Sequence, residues 1–239
     1  MVGLHSYSIQ EDNLVLYIIR KNNESRREEV LEKIIKELNL SHVELNSLPL
    51  KNTALIVVDM VIGFVEEGIL SSPRVKEMSA NLLDLNNRTN GYNKVYFVDS
   101  HNEDAEELKA YPAHCIVNTK EEELIDGLKE SISKEDNIKV IKKNSTNGFH
   151  VPEFKSWLDE VVNKIDNFII VGCVTDICVL QFSLTLKTYF NQMNLNKRVI
   201  VPVNCVETFD IPGHPGDEMN LFALRNMKSN GIEVVSELI

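Results

Sequence analysis

The sequence lacks the features that mark several large classes of protein. No apolar run approaches the roughly 20 residues needed to span a bilayer. The first residues, MVGLHSYSIQEDN, lack the basic and then apolar order of a secretory signal peptide. Cysteine is scarce, with 4 in 239 residues and no Cys-x-x-Cys pair, which is typical of reduced thiols rather than a disulfide scaffold. We therefore expect a soluble cytoplasmic protein.

Positive charge is also in short supply. Lys and Arg number 25 against 36 Asp and Glu, so the formal net charge is -11. Nucleic-acid binding draws its affinity from phosphates neutralised by Lys and Arg, and anionic membranes attract basic segments. The charge therefore argues against both partners. A hydrophobic content of 43% nevertheless indicates a globular protein with an ample core.

Short apolar runs alternate with segments of helical periodicity along most of the chain. The runs are rich in Val and Ile and nearly continuously apolar, as expected of parallel strands covered on both faces. They occupy 53–59, 94–99, 138–142, 167–172, 198–203 and 232–235, and the helical segments occupy 73–90, 121–131, 152–164, 176–193 and 217–230. This alternation predicts a three-layer α/β/α fold with a mainly parallel six-stranded sheet.

The first 50 residues do not follow this rhythm. Residues 13–20 have the composition of a strand, and 25–40 have the pattern of a helix with a capping box at Ser25 and Glu28. We therefore predict a small β-α appendage of unassigned role over residues 1–50 and a main domain over 51–239.

Three chemically useful side chains fall at the ends of predicted strands: Asp59, Lys143 and Cys178. Ligands collect at the carboxyl ends of strands in parallel α/β sheets, so all three are candidates for one site. Alone, each has an ordinary interpretation as a helix cap, a surface lysine or a small buried hydrophobic residue. Together they form a coherent set, because a helix dipole and an ammonium lower the pKa of a thiol and a carboxylate accepts its proton.

A second polar cluster follows the second predicted strand. Asp99 and His101 are separated by one residue, so their side chains point the same way in an extended segment, and His114 follows thirteen residues later. Imidazoles and carboxylates in this number suit Zn, Mn or Fe(II). The alternative is a solvated acidic loop with incidental histidines. His150 and His214 lie in loops near proline and are expected to be exposed or locally hydrogen-bonded.

These segments, in this order, resemble the isochorismatase-like cysteine hydrolases and, within them, the nicotinamidases, over roughly residues 52–239. The matching stretches are ALIVVDMVIGF, VYFVDSHNEDAEELKAYPAHC, KKNSTNGF and IIVGCVTDICVLQFSL. The resemblance implies a catalytic triad of Asp59, Lys143 and Cys178. It favours Lys143 over Lys142 because Lys143 lies six residues before Phe149.

The same resemblance implies a metal site at Asp99, His101 and His114. The fourth ligand is then Glu107, seven residues before the last histidine, with Glu103 as the reserve. Zinc is the first choice of ion, with manganese or iron as alternatives.

Further residues follow from their places in the matching motifs. The implied substrate walls are Phe64 and Tyr111, the implied oxyanion hole consists of the backbone N–H groups of Val174 and Cys178, and the peptide bond between Cys173 and Val174 is implied to be cis.

The implied activity is hydrolysis of a linear carboxamide: nicotinamide to nicotinate and ammonia through a thioester, a step of NAD salvage and pyridine nucleotide biosynthesis. The partner is then a small-molecule substrate, and the oligomeric state, with a homo-oligomer as one option, is open. One alternative is a metal-free amidohydrolase of the same family that acts on a small ureido or carbamoyl compound. A more distant alternative is a non-catalytic scaffold or regulatory protein.

Overall fold

The computed structural model describes residues 26–239, so the predicted strand at 13–20 and the cap residue Ser25 lie outside the described residues. The chain divides into two compact units, with the boundary between Asn39 and Leu40. The described part of the first unit contains helix α1, residues 26–38, within the predicted helical segment. None of the described helices combines the length and the apolar character needed to cross a membrane.

The second unit alternates strands and helices. Its strands are β1 (Thr53–Val58), β2 (Asn93–Asp99), β3 (Ile138–Lys143), β4 (Asn167–Cys173), β5 (Arg198–Pro202), β6 (Val206–Glu207) and β7 (Glu233–Val235). Its α-helices are α2 (Ile62–Val65), α3 (Pro73–Arg88), α4 (Asp126–Lys134), α5 (Pro152–Val161), α6 (Leu180–Gln192) and α7 (Gly216–Ser229). A π-helical turn, Thr175–Val179, leads into α6.

The strands form one sheet in the order β3-β2-β1-β4-β5-β7, with β6 paired to β4, and all of the pairings between these strands are parallel. The predicted α/β fold and its six parallel strands are confirmed. The sequence prediction missed β6, because a strand of two residues has no periodicity to detect.

Alternate strand residues pack on opposite faces of the sheet, as the two-residue period of a strand requires. On one face, strand residues and residues of α3 and α4 share a buried cluster that includes Leu55, Val57, Tyr96, Ile169, Met78, Leu82 and Leu128. On the other face, the Phe97 ring lies 5.3 Å from Phe154 of α5 and 5.2 Å from Phe182 of α6. The helices therefore cover both faces, which explains the continuous apolar runs of β1 and β4.

The segment before β1 is part of the second unit. Val43 forms a parallel bridge with Leu238, and the Leu45 N–H donates to the carbonyl of Ile239 at 2.7 Å. Residues 40–50, assigned to the appendage from the sequence, lie within the unit that contains the sheet, and the β-α appendage over the preceding residues stays a prediction.

Four neighbouring strands, β3, β2, β1 and β4, bring their carboxyl ends to one edge of the sheet. Asp99 and Lys143 are register partners at the ends of β2 and β3. Gly172 of β4 has a φ of +118°, and a Cβ there would lie 2.1 Å from the Val58 carbonyl oxygen of β1. Only glycine allows this close approach, which lets the segments that follow β1 and β4 converge.

Candidate active site

The structure brings Asp59, Lys143 and Cys178 together in a buried group. The Lys143 ammonium lies 2.9 Å from Asp59 Oδ2 and 4.0 Å from Cys178 Sγ. Asp59 is fully buried, and Lys143 and Cys178 are 1% and 6% exposed. The residues predicted from strand-end positions therefore do meet in space, and bulk solvent has little access to them.

The backbone presents the Asp59 carboxylate to this group in an unusual conformation. Asp59 follows β1 with a φ of +53°, a left-handed conformation that Asp tolerates better than most residues. Its N–H donates to the Phe97 carbonyl of β2 at 3.2 Å, and its own carbonyl accepts from the Cys173 thiol at 3.1 Å. These contacts on both sides fix the turn that aims the carboxylate at Lys143.

Burial dominates the electrostatics of Asp59. Removal from water raises the pKa of its carboxyl to about 7, although the Lys143 ammonium opposes the shift. The negative charge of Asp99 raises the pKa further. Asp59 therefore changes its protonation state near neutral pH, as a group that accepts and returns a proton requires.

The Cys178 thiol is protonated at rest. Burial raises its pKa well above the ordinary value, and the nearby Lys143 ammonium offsets only part of this effect. The expectation of a lowered thiol pKa is therefore wrong for the resting site. Cys178 lies in the π-helical turn that ends β4, and such turns are frequent at functional sites. Its activation would need a base, and the Asp59 carboxylate interacts directly with this thiol.

The four predicted metal ligands also converge. One candidate ligand atom from each of Asp99, His101, Glu107 and His114 lies within 4.8 Å of the other three. Asp99 Oδ2 lies 2.9 Å from His101 Nε2 and 3.0 Å from His114 Nε2, and Glu107 Oε1 lies 3.7 Å from His101 Nε2. Glu103, the reserve, is exposed and lies outside this group.

The Nδ1 atom of each histidine lies within hydrogen-bond distance of an oxygen atom outside the four-donor group. His114 Nδ1 lies 2.7 Å from the Pro112 carbonyl, which can only accept, so this nitrogen carries a proton and Nε2 is the ring nitrogen that faces Asp99. His101 Nδ1 lies 3.0 Å from Asn144 Oδ1. Oriented imidazoles of this kind are typical of metal sites. Together with the two carboxylates, they fit a divalent cation such as zinc.

Residues at and just after the end of β3 hold the two carboxylates in the same way. The Thr146 N–H donates to Glu107 Oε2 at 2.7 Å, and Lys143 Nζ donates to Asp99 Oδ1 at 2.6 Å. Burial favours the protonated form of Asp99, but Lys143, His101 and His114 together outweigh it and hold the pKa of this carboxyl below its ordinary value. Asp99 is therefore ionised at neutral pH and available as a ligand.

A cleft of about 430 Å³, part of it open to solvent, joins the two groups. Its lining includes Cys178 on one side and Asp99, Glu107 and His114 on the other. The remaining lining residues are largely apolar or aromatic: Phe64, Leu70, Tyr111, Thr146, Val174, Ile177 and Phe209.

Both predicted wall residues line this cleft, close to a predicted metal ligand. The Phe64 and Tyr111 rings lie 5.6 Å and 6.3 Å from the His114 ring. Val174 also borders the cleft, and the Cys173–Val174 peptide bond is cis as predicted.

The sequence matches the isochorismatase domain over residues 53–237. The chain belongs to the isochorismatase family. Membership confirms the family predicted from the sequence motifs and the prediction of a hydrolase. The matched region begins at β1 and extends beyond β7, so it contains the whole sheet.

Individual similar proteins give more specific comparisons than the family match. Nicotinamidase 1 of Arabidopsis thaliana is 28% identical over 215 residues, which cover 78% of this chain and 86% of the relative. A nicotinamidase of Bacillus subtilis superposes with a TM-score of 0.62 at 26% identity, covering 77% of this chain and 99% of that one. A pyrazinamidase of Pyrococcus horikoshii, solved in complex with zinc, superposes with a TM-score of 0.60 at 24% identity over 77% of this chain and 98% of its own, which shows the shared fold.

Several residues of this isochorismatase-family site escaped the sequence reading. Leu70, Ile177 and Phe209 line the cleft, but no motif in the sequence marks any of them. Asn144 and Thr146 had a usable signal, since they follow Lys143 directly in the stretch KKNSTNGF. His214 was expected to be exposed or locally bonded, yet its side chain is 17% exposed and lies 2.8 Å from Asp176, 38 residues away.

Proposed function

We propose that this protein is a nicotinamidase, which hydrolyses nicotinamide to nicotinate and ammonia through a thioester on Cys178. The observation that carries the proposal is that one small cleft touches both the nucleophile candidate and a four-donor group suited to a divalent cation. The nicotinamidases of Arabidopsis thaliana and Bacillus subtilis support the same reaction by similarity. The product would enter pyridine nucleotide synthesis as part of NAD salvage.

Acylation begins with a proton transfer from the Cys178 thiol to Asp59. The transfer needs a nearby base because burial keeps the thiol protonated, and the buried Asp59 has a pKa of about 7 that suits the exchange. Lys143 stabilises the new thiolate from 4.0 Å. The thiolate then attacks the carboxamide carbon and forms a C–S bond.

Collapse of the tetrahedral intermediate breaks the C–N bond, and Asp59 returns its proton to the departing ammonia. Backbone N–H groups of Val174 and Cys178 are the proposed donors to the developing oxyanion, and loss of one such donor typically lowers the rate by about 10²–10³. A water molecule then adds to the thioester, with Asp59 again as the base, and releases nicotinate and the free thiol.

The donor group would hold the ion through Asp99, His101, Glu107 and His114, and the ion's chemistry there is Lewis acidity toward a ring nitrogen of the substrate. The chain's own residues then fix the rest of the ring. Phe64 and Tyr111 flank the His114 side of the cleft, where aromatic faces favour a flat heteroaromatic ring. This arrangement orients the carboxamide for attack by Cys178.

Two other functions fit less well. A metal-free amidohydrolase for ureido or carbamoyl compounds would not explain why two buried histidines direct their Nε2 atoms at a carboxylate. A non-catalytic scaffold has no use for a buried lysine within 3 Å of two buried carboxylates.

Ammonia release from nicotinamide tests the proposal directly. We expect the wild type, supplied with zinc, to release ammonia and Cys178→Ala to release none above background. Cys205→Ala is the matched control, since Cys205 is also buried but does not line the cleft. No release by the wild type would reject the activity, and equal release by Cys178→Ala would reject the nucleophile. Metal analysis that finds neither a bound nor an activating divalent ion would instead favour the metal-free amidohydrolase.

A further inference from the structure

One wall of the cleft comes from a loop that the proposed chemistry does not use. Residues 208–214, here called the wall loop, connect β6 with α7, and Phe209 of this loop lines the cleft. The loop reverses direction in a tight turn, with reciprocal hydrogen bonds of 3.2 Å and 2.9 Å between the backbones of Ile211 and His214. Ile211 at the tip is 54% exposed. Phe209 itself is partly buried and packs against the hydrophobic core, and a side chain of the same loop adds a second contact to its ring.

His214 makes that contact. Its ring stacks on the Phe209 ring with centroids 4.0 Å apart and planes inclined by 27°. Its Nδ1 lies 3.1 Å from the Phe209 carbonyl, and its Nε2 lies 2.8 Å from Asp176 Oδ2. The imidazole is thus fixed at both nitrogens while one face supports the phenyl ring.

Asp176 ties this wall to the nucleophile. Asp176 and Cys178 belong to the same π-helical turn. The Asp176 side chain is 3% exposed, and its second oxygen accepts from the Thr208 hydroxyl at 2.6 Å, one residue before Phe209. The contacts form a closed ring through Asp176, His214, Phe209 and Thr208. The same turn therefore fixes the positions of both Phe209 and the Cys178 sulfur.

We propose that His214 is a positioning residue that holds Phe209 against the substrate ring, and that Phe209 determines which rings the cleft accepts. The inference rests on the proposed amidohydrolase function, because it assigns the ring pocket of that same site. Asp176 fixes His214 relative to Cys178, so the distance between the wall and the nucleophile is set by one hydrogen-bonded unit. Small flat heteroaromatic carboxamides are the substrate class that such a fixed wall selects.

A double-mutant cycle tests whether His214 acts through Phe209. We expect His214→Ala and Phe209→Ala each to raise KM for nicotinamide about tenfold, the equivalent of one aromatic contact, with kcat little changed. The double variant should show little further rise, because both single changes remove the same wall. The control is His150→Ala, since His150 is exposed and does not line the cleft. Additive effects, or an unchanged KM in His214→Ala, would overturn the proposal.

A second measurement does not depend on catalysis. Cys178 is alkylated with iodoacetamide and with the bulkier N-ethylmaleimide, and the modified peptide is followed by mass spectrometry. We expect His214→Ala and Phe209→Ala to increase the ratio of the bulky to the small reagent's rate several-fold, whereas His150→Ala leaves it unchanged. An unchanged ratio in both wall variants would overturn the proposal.

The two experiments separate the possible failures. A wild type that does not hydrolyse nicotinamide but shows the expected change in alkylation ratio would refute the proposed activity and retain the wall. Folding of each variant is checked by circular dichroism and the thermal midpoint. Should His214→Ala unfold, His214→Gln takes its place in the same cycle, since its amide keeps a donor for Asp176 but has no ring to stack.

Discussion

Replacing Lys143 with Met removes a positive charge from between two buried carboxylates. In the wild type its ammonium lies 2.9 Å from Asp59 Oδ2 and 2.6 Å from Asp99 Oδ1, and Met preserves most of the side chain's volume. Breaking a buried ion pair by removing one partner typically costs about 3–5 kcal/mol. We expect a loss of unfolding free energy of this size at neutral pH, together with a fall in amidase activity of about 10²–10⁴.

The pH dependence of that loss identifies its cause. The pKa of Asp59 is about 7 in the folded protein against an ordinary value of 3.8, so this group stabilises the fold fully below 3.8 and the contribution is lost as pH rises to 7. After burial, which raises the pKa, the largest influence is Lys143, which lowers it. Without Lys143 the pKa of Asp59 rises further, and stability continues to fall above pH 7 by about 1 kcal/mol per pH unit.

Urea unfolding of the metal-free proteins in chelator, between about pH 6 and 9, measures this difference. Lys142→Met is the matched control, because the neighbouring Lys142 side chain is 59% exposed and its partner Glu122 keeps hydrogen bonds from Ser100 and Asn118. Its loss should stay below about 1 kcal/mol with no added pH dependence. Stability curves of Lys143→Met and wild type that run parallel above pH 7 would refute the electrostatic reasoning.

Three further outcomes follow from the site and the sheet. Asn144→Ala should weaken zinc affinity about 10–100-fold in calorimetric titration, because it releases His101. Asn144→Asp keeps an oxygen acceptor and should recover most of the affinity. Equal affinities of the wild type and Asn144→Ala would contradict the supporting role. The kcat/KM for nicotinamide should fall as pH drops below about 7, because Asp59 must be ionised to take the thiol proton. A bound cation offsets the charge of Asp99, so the midpoint should lie between 3.8 and about 7, and a midpoint at 3.8 would argue against a raised pKa. Gly172→Ala should lower the free energy of unfolding in urea by at least about 2 kcal/mol. Gly213→Ala is the control, because Gly213 also has a positive φ but no atom lies within 4 Å of the new Cβ. Its smaller loss measures the cost of the backbone conformation alone.

The sheet could be predicted from the sequence because burial on both faces leaves few polar residues within its central strands. β1 and β4 are buried at every position, so each appears as a continuous apolar run. The segment predicted as a helix over 121–131 was less accurate. Leu124 instead forms an antiparallel bridge with Val61, so α4 begins only at Asp126. A tertiary pairing that overrides local periodicity leaves no trace in the window around it.

The candidate site likewise contains features that could be predicted from the sequence and features that could not. Asp59, Lys143 and Asp99 could be found because a parallel sheet aligns the ends of consecutive strands, and a strand end is visible in the sequence. The direction of the Cys178 pKa could not be found, because it depends on how completely the surrounding loops exclude water. The pairing of His214 with Asp176 could not be found either, since it joins loops 38 residues apart.

Lys143 makes the Asp59–Cys178 group and the four-donor group parts of one electrostatic unit. Its ammonium contacts one oxygen of Asp99, whose other oxygen faces His101 and His114, and it also contacts Asp59. Asp99 in turn raises the pKa of Asp59 through its negative charge. A cation at the donor group would offset that charge and so ease ionisation of the base, with no residue moving. The register of β2 and β3, which pairs Asp99 with Lys143, is therefore the structural basis for coupling between the two groups.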